Sequence, residues 1–246
     1  MFRPSRPTIA LAVTCLFLAS ASQGWTDESG WVELTGLDAW KGAGQGWSEV
    51  GSAGLDLKNT KAIAVESGSG IIYNGPTGKA ANLISKETFG DVEFHVEFNV
   101  PKGSNSGVKF QSVYEVQIFD SFGSTKKPSG SDCGGVYPRS ELKPKYHAID
   151  QGVAPLVNAC KPPGEWQVLD LTFLAPRFDA SGNKIDCARI TAVLNGKKVQ
   201  DNLEVHSPTG SNWLNKESPT GPILLQGDHG PVAFRNLKAR HLPKKP

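Results

Sequence analysis

Residues 91–100 constrain this chain more than any other stretch. Val92, Phe94, Val96, Phe98 and Val100 alternate without a break with Glu93, His95, Glu97 and Asn99. Successive side chains of a strand point to opposite faces, so a period of two demands a strand with one face in a core and the other turned outward. His95 falls on the outward face and reads as an exposed strand residue rather than a ligand or catalyst. Weaker versions of the signature recur at residues 32–34, 47–50, 62–65 and 82–85, each bounded by Gly, Asn or Ser. They return at 166–174, 189–194, 222–226 and 232–240, and Asn195-Gly196 marks a hairpin turn. Helical periodicity is nearly absent. About a dozen short strands joined by long loops predict an all-β, two-sheet sandwich of jelly-roll type.

The N-terminus reads as an export signal. Arg3 and Arg6 form a basic start, residues 9–18 an apolar run, and Ala19-Ser20-Ala21 a small-residue cleavage pattern, with a second possible cut after Gly24. The apolar run is too short to span a bilayer. Removing residues 1–21 leaves 24 basic and 24 acidic residues, which excludes a nucleic-acid footprint or a polybasic membrane patch. The chain is therefore expected in the periplasm or outside the cell, without membrane attachment once the signal is gone, as a monomer folded into one domain over residues 30–242.

Three cysteines remain after that cut: Cys133, Cys160 and Cys187. An odd number permits at most one internal bridge, and spacing does not identify the pair. No C-x-x-C or Cys/His spacing is present, so neither a metal nor another cofactor is expected. Residues 179–186, DASGNKID, lack the spacing and closing Glu of a calcium loop and read as a hairpin turn.

Candidate chemistry concentrates in residues 113–121, VYEVQIFDS. Tyr114, Val116 and Ile118 share one face and Glu115 and Gln117 the other. One bulge before the strand's end would swing Asp120 round to join them. Acid, amide and acid along one strand suit glycosidic chemistry, in which one group protonates the leaving oxygen and a partner serves as nucleophile or base. The spacing E-x-Q-x-x-D resembles the E-x-D-x-x-E strand of laminarinase-like glycosidases, with two of three positions changed. Between residues 122 and 163 strand periodicity fails, yet Val136, Tyr137, Leu142, Tyr146, Ile149, Leu156 and Val157 are numerous enough to predict an ordered, buried excursion beside the site. Within it, Tyr137, Arg139 and Glu141 offer an aromatic platform and fixed polar groups for a sugar. Gln226, Asp228 and His229 sit on a glycine-bounded turn, GDHGP, where His229 is available as acid or base. A nucleophile elbow, a phosphate loop and H-E-x-x-H are all missing.

Five blocks taken together resemble the 3-keto-disaccharide hydrolase domain family: DVEFHVEFNVPKGSNSGVKFQ, YEVQIFDS, APLVNACKPPGEWQ, APRFDASG with NGKKVQDN, and GPILLQGDHGPVAFRNLKAR. The resemblance implies a concanavalin A-like two-sheet jelly-roll sandwich with a long irregular loop excursion. It further implies exported proteins acting on carbohydrates whose glucose unit is oxidised at C3. On that footing Glu115 shares acid and base roles with Asp120 or His229, while Gln117, Gln226 and Arg139 hold the sugar or stabilise an oxyanion. The alternative is a non-catalytic, lectin-like carbohydrate-binding module using the same cleft.

Overall fold

The computed structural model describes residues 30–243; the expected export signal and residues 244–246 lie outside them. In chain order the strands are β1 (Trp31–Glu33), β2 (Trp40–Lys41), β3 (Ser48–Leu55), β4 (Ile63–Tyr73), β5 (Leu83–Phe89), β6 (Val92–Asn99), β7 (Asn105–Phe110) and β8 (Tyr114–Phe119). They continue with β9 (Ser140–Glu141), β10 (His147–Ala148), β11 (Gln167–Leu174), β12 (Arg177–Phe178), β13 (Lys184–Asp186), β14 (Ala188–Leu194), β15 (Lys197–Val205), β16 (Gly221–Leu225) and β17 (Ala233–His241). A single 3-10 turn, Leu37–Ala39, is the one helical element among the described residues.

An eight-stranded antiparallel sheet runs β15-β14-β11-β6-β17-β4-β3, with β1 added to the far half of β17. A five-stranded sheet runs β2-β5-β16-β7-β8. The alternating stretch forms β6 at the centre of the larger sheet, and Val92, Phe94, Val96 and Phe98 are buried as the period of two requires. Its other face carries ion pairs of Glu93 with Arg240 and Glu97 with Arg235, and a hydrogen bond between His95 Nδ1 and Asp170 Oδ1 at 2.6 Å. His95 thus lies on the outer face. Aromatic rings join the sheets, with Phe110 of β7 stacked on Phe173 of β11 at 4.7 Å and Tyr114 of β8 tilted against the same ring at 5.3 Å. The two sheets close as a β-sandwich over the main apolar core, and a smaller cluster of Val50, Ala53, Ile63, Ile71, Tyr73 and Ala233 packs separately with Trp166.

The excursion is ordered, though less by apolar burial than its composition suggests. It adds to the open edge of β8: Gln117 N–H donates to Gly135 O, Gly134 N–H to Gln117 O, and Tyr137 N–H to Glu115 O. Val136 and Cys133 enter the core, whereas Leu142, Tyr146, Ile149, Leu156 and Val157 are exposed. The reason is geometric. Backbone bonding to a strand edge orders the segment, while the β9–β10 hairpin that carries Leu142 and Tyr146 flanks it as a separate two-stranded sheet. Residues 179–186 form the expected hairpin between β12 and β13, with Asp179 accepting from the backbone N–H groups of Ser181 and Asn183. All three thiols are free, and those of Cys133 and Cys160 meet beside the end of β8.

Candidate functional site

The site is built on the β7–β8 hairpin. Apolar alternation in both strands fixes their register, so Val108 faces Val116 and Phe110 faces Tyr114 toward the core. The intervening positions then pair on the outward face: Lys109 with Glu115, Gly107 with Gln117, and Asn105 with Phe119. On the other side of β7 lies β16, where Gln226 N–H donates to Gly107 O and brings the Gln226 side chain to this face. The outward face is not open to solvent, because the excursion and residues 209–210 border it. Glu115 and Gln117 are 3 % and 2 % exposed.

Glu115 sits at the centre. Its Oε2 lies 3.0 Å from Lys109 Nζ, its N–H donates to Thr209 Oγ1 at 3.0 Å, and its C=O accepts from Tyr137. The carboxylate extends across bare backbone at Gly107, where a Cβ would stand 2.6 Å from Oε1. Only glycine leaves that space. Burial pushes the Glu115 carboxyl above its usual range, while the charge and hydrogen bond of Lys109 pull the other way. The charges of His229 and Asp228 also reach it, with opposite signs. The Tyr137 hydroxyl bonds that of Tyr146 at 2.9 Å and is held well above the ordinary phenol range by burial, that bond and the nearby Glu115 charge. It therefore keeps its proton at physiological pH.

Three amide side chains on this face each carry a buried oxygen without a partner: Asn105 Oδ1, Gln117 Oε1 and Gln226 Oε1. Buried acceptors are nearly always bonded, so water or a bound molecule supplies the donors to these three. Asn105, Gln117 and Tyr137, with Lys126, Lys127 and Ser129, line a cleft of about 270 Å³. Its size and polar lining suit a sugar ring.

The structure therefore brings together Glu115, Gln117, Tyr137 and Gln226, with Asp228 and His229 at the edge, where Asp228 Oδ1 lies 2.6 Å from His229 Nδ1. It separates Asp120. The β7–β8 register runs unbroken to Phe119, so the expected bulge is absent and Asp120 stays on the core side of the alternation. Its carboxylate accepts from Gly103 N–H at 2.9 Å, and its charge is felt by Cys133 and Cys160 rather than Glu115. Glu141 is exposed on the β9–β10 hairpin, 3.5 Å from His147. Arg139 lines a second cleft of about 240 Å³ that shares Tyr137, and its Nε donates to Asp150 at 2.6 Å. Sequence reasoning missed Lys109 and Asn105. The matched alternation of VKF and YEV across a short turn was the available signal, since it sets Lys109 opposite Glu115.

A provisionally named glycosyl hydrolase of Parabacteroides distasonis ATCC 8503 is 26 % identical with a TM-score of 0.56, covering 80 % of this chain and 79 % of its own. A second from the same organism is 22 % identical with a TM-score of 0.55, covering 86 % and 99 %, and shows the fold. No curated protein matches the chain. The family described as a 3-keto-alpha-glucoside-1,2-lyase-like domain matches residues 30–240, which is nearly every described residue. This chain belongs to that family.

Proposed function

We propose that the protein cleaves the glycosidic bond of 3-keto-glucosides or 3-keto-disaccharides by acid–base chemistry, with Glu115 and the Asp228–His229 pair as its proton-transfer groups. Family membership supports a carbohydrate-active role, and the substrate and mechanism are our reading of the site. The observation that carries it is a buried carboxylate, raised above its usual range, on a strand face whose neighbouring amides Asn105, Gln117 and Gln226 carry unpartnered oxygens and whose Asn105 and Gln117 line the adjoining cleft.

A ketone at C3 acidifies the C2 proton. A base removes that proton, and the C–H electrons pass through the enolate to expel the glycosidic oxygen from C1, leaving a C1=C2 double bond. An acid protonates the departing oxygen, and water adds afterwards. A carboxylate tuned upward by burial is better matched to taking and returning a proton near neutrality than an ordinary one. The Lys109 ammonium and the Tyr137 hydroxyl are donors suited to the enolate oxygen. Asn105, Gln117 and Gln226 would accept from sugar hydroxyls. With Asp120 on the far side of the strand, His229 is the second proton-transfer group. We place the reaction outside the cytoplasm, on the export signal expected in residues 1–21.

The test is sugar release from paired 3-keto and unmodified disaccharides or glucosides. Release from the 3-keto member alone, lowered at least about a hundredfold in Glu115→Gln, supports the reading. Full turnover by Glu115→Gln would end the assignment. Saturable binding of intact sugar without release would favour the lectin-like alternative.

A further inference from the structure

A different group of side chains lies at the end of the β14–β15 pair. The register sets Ala188 opposite Val205 and Arg189 opposite Glu204. One step further along, Cys187, just before β14, falls opposite His206, just after β15. Glu204 and His206 are two residues apart and share a face. Three chemically different donors thus converge from two chain segments, a thiol, an imidazole and a carboxylate, with their ligating atoms all within 4.8 Å of one another.

We propose that Cys187, Glu204 and His206 form a binding site for a borderline-soft divalent cation, zinc being the natural occupant. The distances support it. Cys187 Sγ lies 3.5 Å from His206 Nδ1, and the same nitrogen lies 3.4 Å from Glu204 Oε1. Zinc bonds of about 2.3 Å to sulfur and about 2.0–2.2 Å to nitrogen and oxygen, opened to tetrahedral angles, require donor separations of about 3.4–3.6 Å. Both measured separations fall on those edges.

The surroundings are consistent with a three-ligand site. Arg189 Nη2 holds the other carboxylate oxygen of Glu204 at 2.6 Å, which orients Oε1 toward the thiol and imidazole. Lys184 is occupied by Glu217 and by the His206 carbonyl, each within 2.7 Å, so its charge is partly offset. A thiolate and a carboxylate together balance a dication. Glu204 and His206 also line the 240 Å³ cleft that Arg139 and Tyr137 share. A mixed sulfur, nitrogen and oxygen set excludes magnesium and calcium, which require oxygen cages. Sequence spacing gave no sign of this site, because its ligands meet through strand pairing rather than a local motif. The inference is independent of the carbohydrate reading.

The experiment titrates the reduced protein with Co²⁺, following the near-ultraviolet cobalt–thiolate absorption, and then displaces it with Zn²⁺. One equivalent is expected to develop the band and one equivalent of Zn²⁺ to abolish it. Cys187→Ser should remove the band, and His206→Gln should weaken binding about tenfold or more. His206 is 79 % exposed, so its variant keeps the fold, and unchanged metal-free melting of both variants checks this. No cobalt–thiolate band in the natural protein overturns the proposal. A band that survives in Cys187→Ser, or binding unaltered in His206→Gln, overturns it equally.

Discussion

At the scale of single residues, Glu115 behaves unlike an ordinary surface acid. Its folded carboxyl binds a proton more tightly than the unfolded one, because burial outweighs the pull of Lys109. The linkage sign follows. A raised folded value contributes stability that is complete below the unfolded carboxylate range and is lost as pH rises through the folded value. Glu115→Gln cannot lose a proton, so the melting temperature of that variant should fall less steeply with pH above the ordinary carboxylate range than that of the natural protein. Parallel pH profiles for the two proteins would show that Glu115 is not the titrating group. Both roles of this residue were only half legible in the sequence: its alternation placed it opposite the core, but nothing local revealed that a distant loop would bury that face. Asp120 failed for the converse reason. Its inclusion needed a bulge, and bulges depend on how a partner strand pairs.

At the scale of the element, the β7–β8 hairpin acts as a platform whose smallest residue shapes the site. Gly107 has no left-handed backbone requirement, so alanine is acceptable to the strand itself. The added methyl would meet Glu115 Oε1 at 2.6 Å, and a carboxylate at the end of a flexible side chain can move aside. Gly107→Ala should therefore lower turnover of a 3-keto substrate about 10- to 100-fold, with a lower melting temperature as well, because the displaced Glu115 is buried and held by Lys109. Unimpaired turnover would remove the Glu115 carboxylate position from the mechanism. Strand existence was readable here, and extents were less so. β4 runs on to Tyr73 through Glu66–Gly70, a polar, glycine-rich stretch that looks like a loop. There the β3–β4 register shifts between Val50↔Ile71 and Ser52↔Glu66, and the two backbones come close at Gly51 and Gly68, where a Cβ on Gly68 would stand only 2.5 Å from Gly51 Cα.

At the scale of the whole molecule, two sheets are held by a small aromatic cluster. Phe173 contacts Phe110 and Tyr114 and is fully buried, so it joins β11 of one sheet to β7 and β8 of the other. Phe173→Ala should destabilise the fold by about 3–5 kcal/mol. For a domain of this size that corresponds to a melting temperature lower by about 6–20 °C, readable by calorimetry. A drop of a degree or less would mean that the ring does not bridge the sheets. Because Tyr114 and Glu115 are neighbours on β8, the same substitution should disturb the site before the fold fails.

The sequence by itself determined the class of the fold, the face of each long strand and the family, because alternation is a local property and each buried residue must repeat every second position. It also identified Glu115 and Gln117 as polar groups on one strand and Gln226 as a polar group at the turn that follows another. Only the tertiary structure decided which of these meet. Strand order, register and the docking of residues 122–163 on the edge of β8 set Lys109 against Glu115, left three amide oxygens without partners, turned Asp120 away and gathered Cys187, Glu204 and His206. Apart from the Lys109–Glu115 pair, which the hairpin alternation already sets face to face, these meetings depend on sheet pairing between segments up to 120 positions apart, which no local pattern encodes.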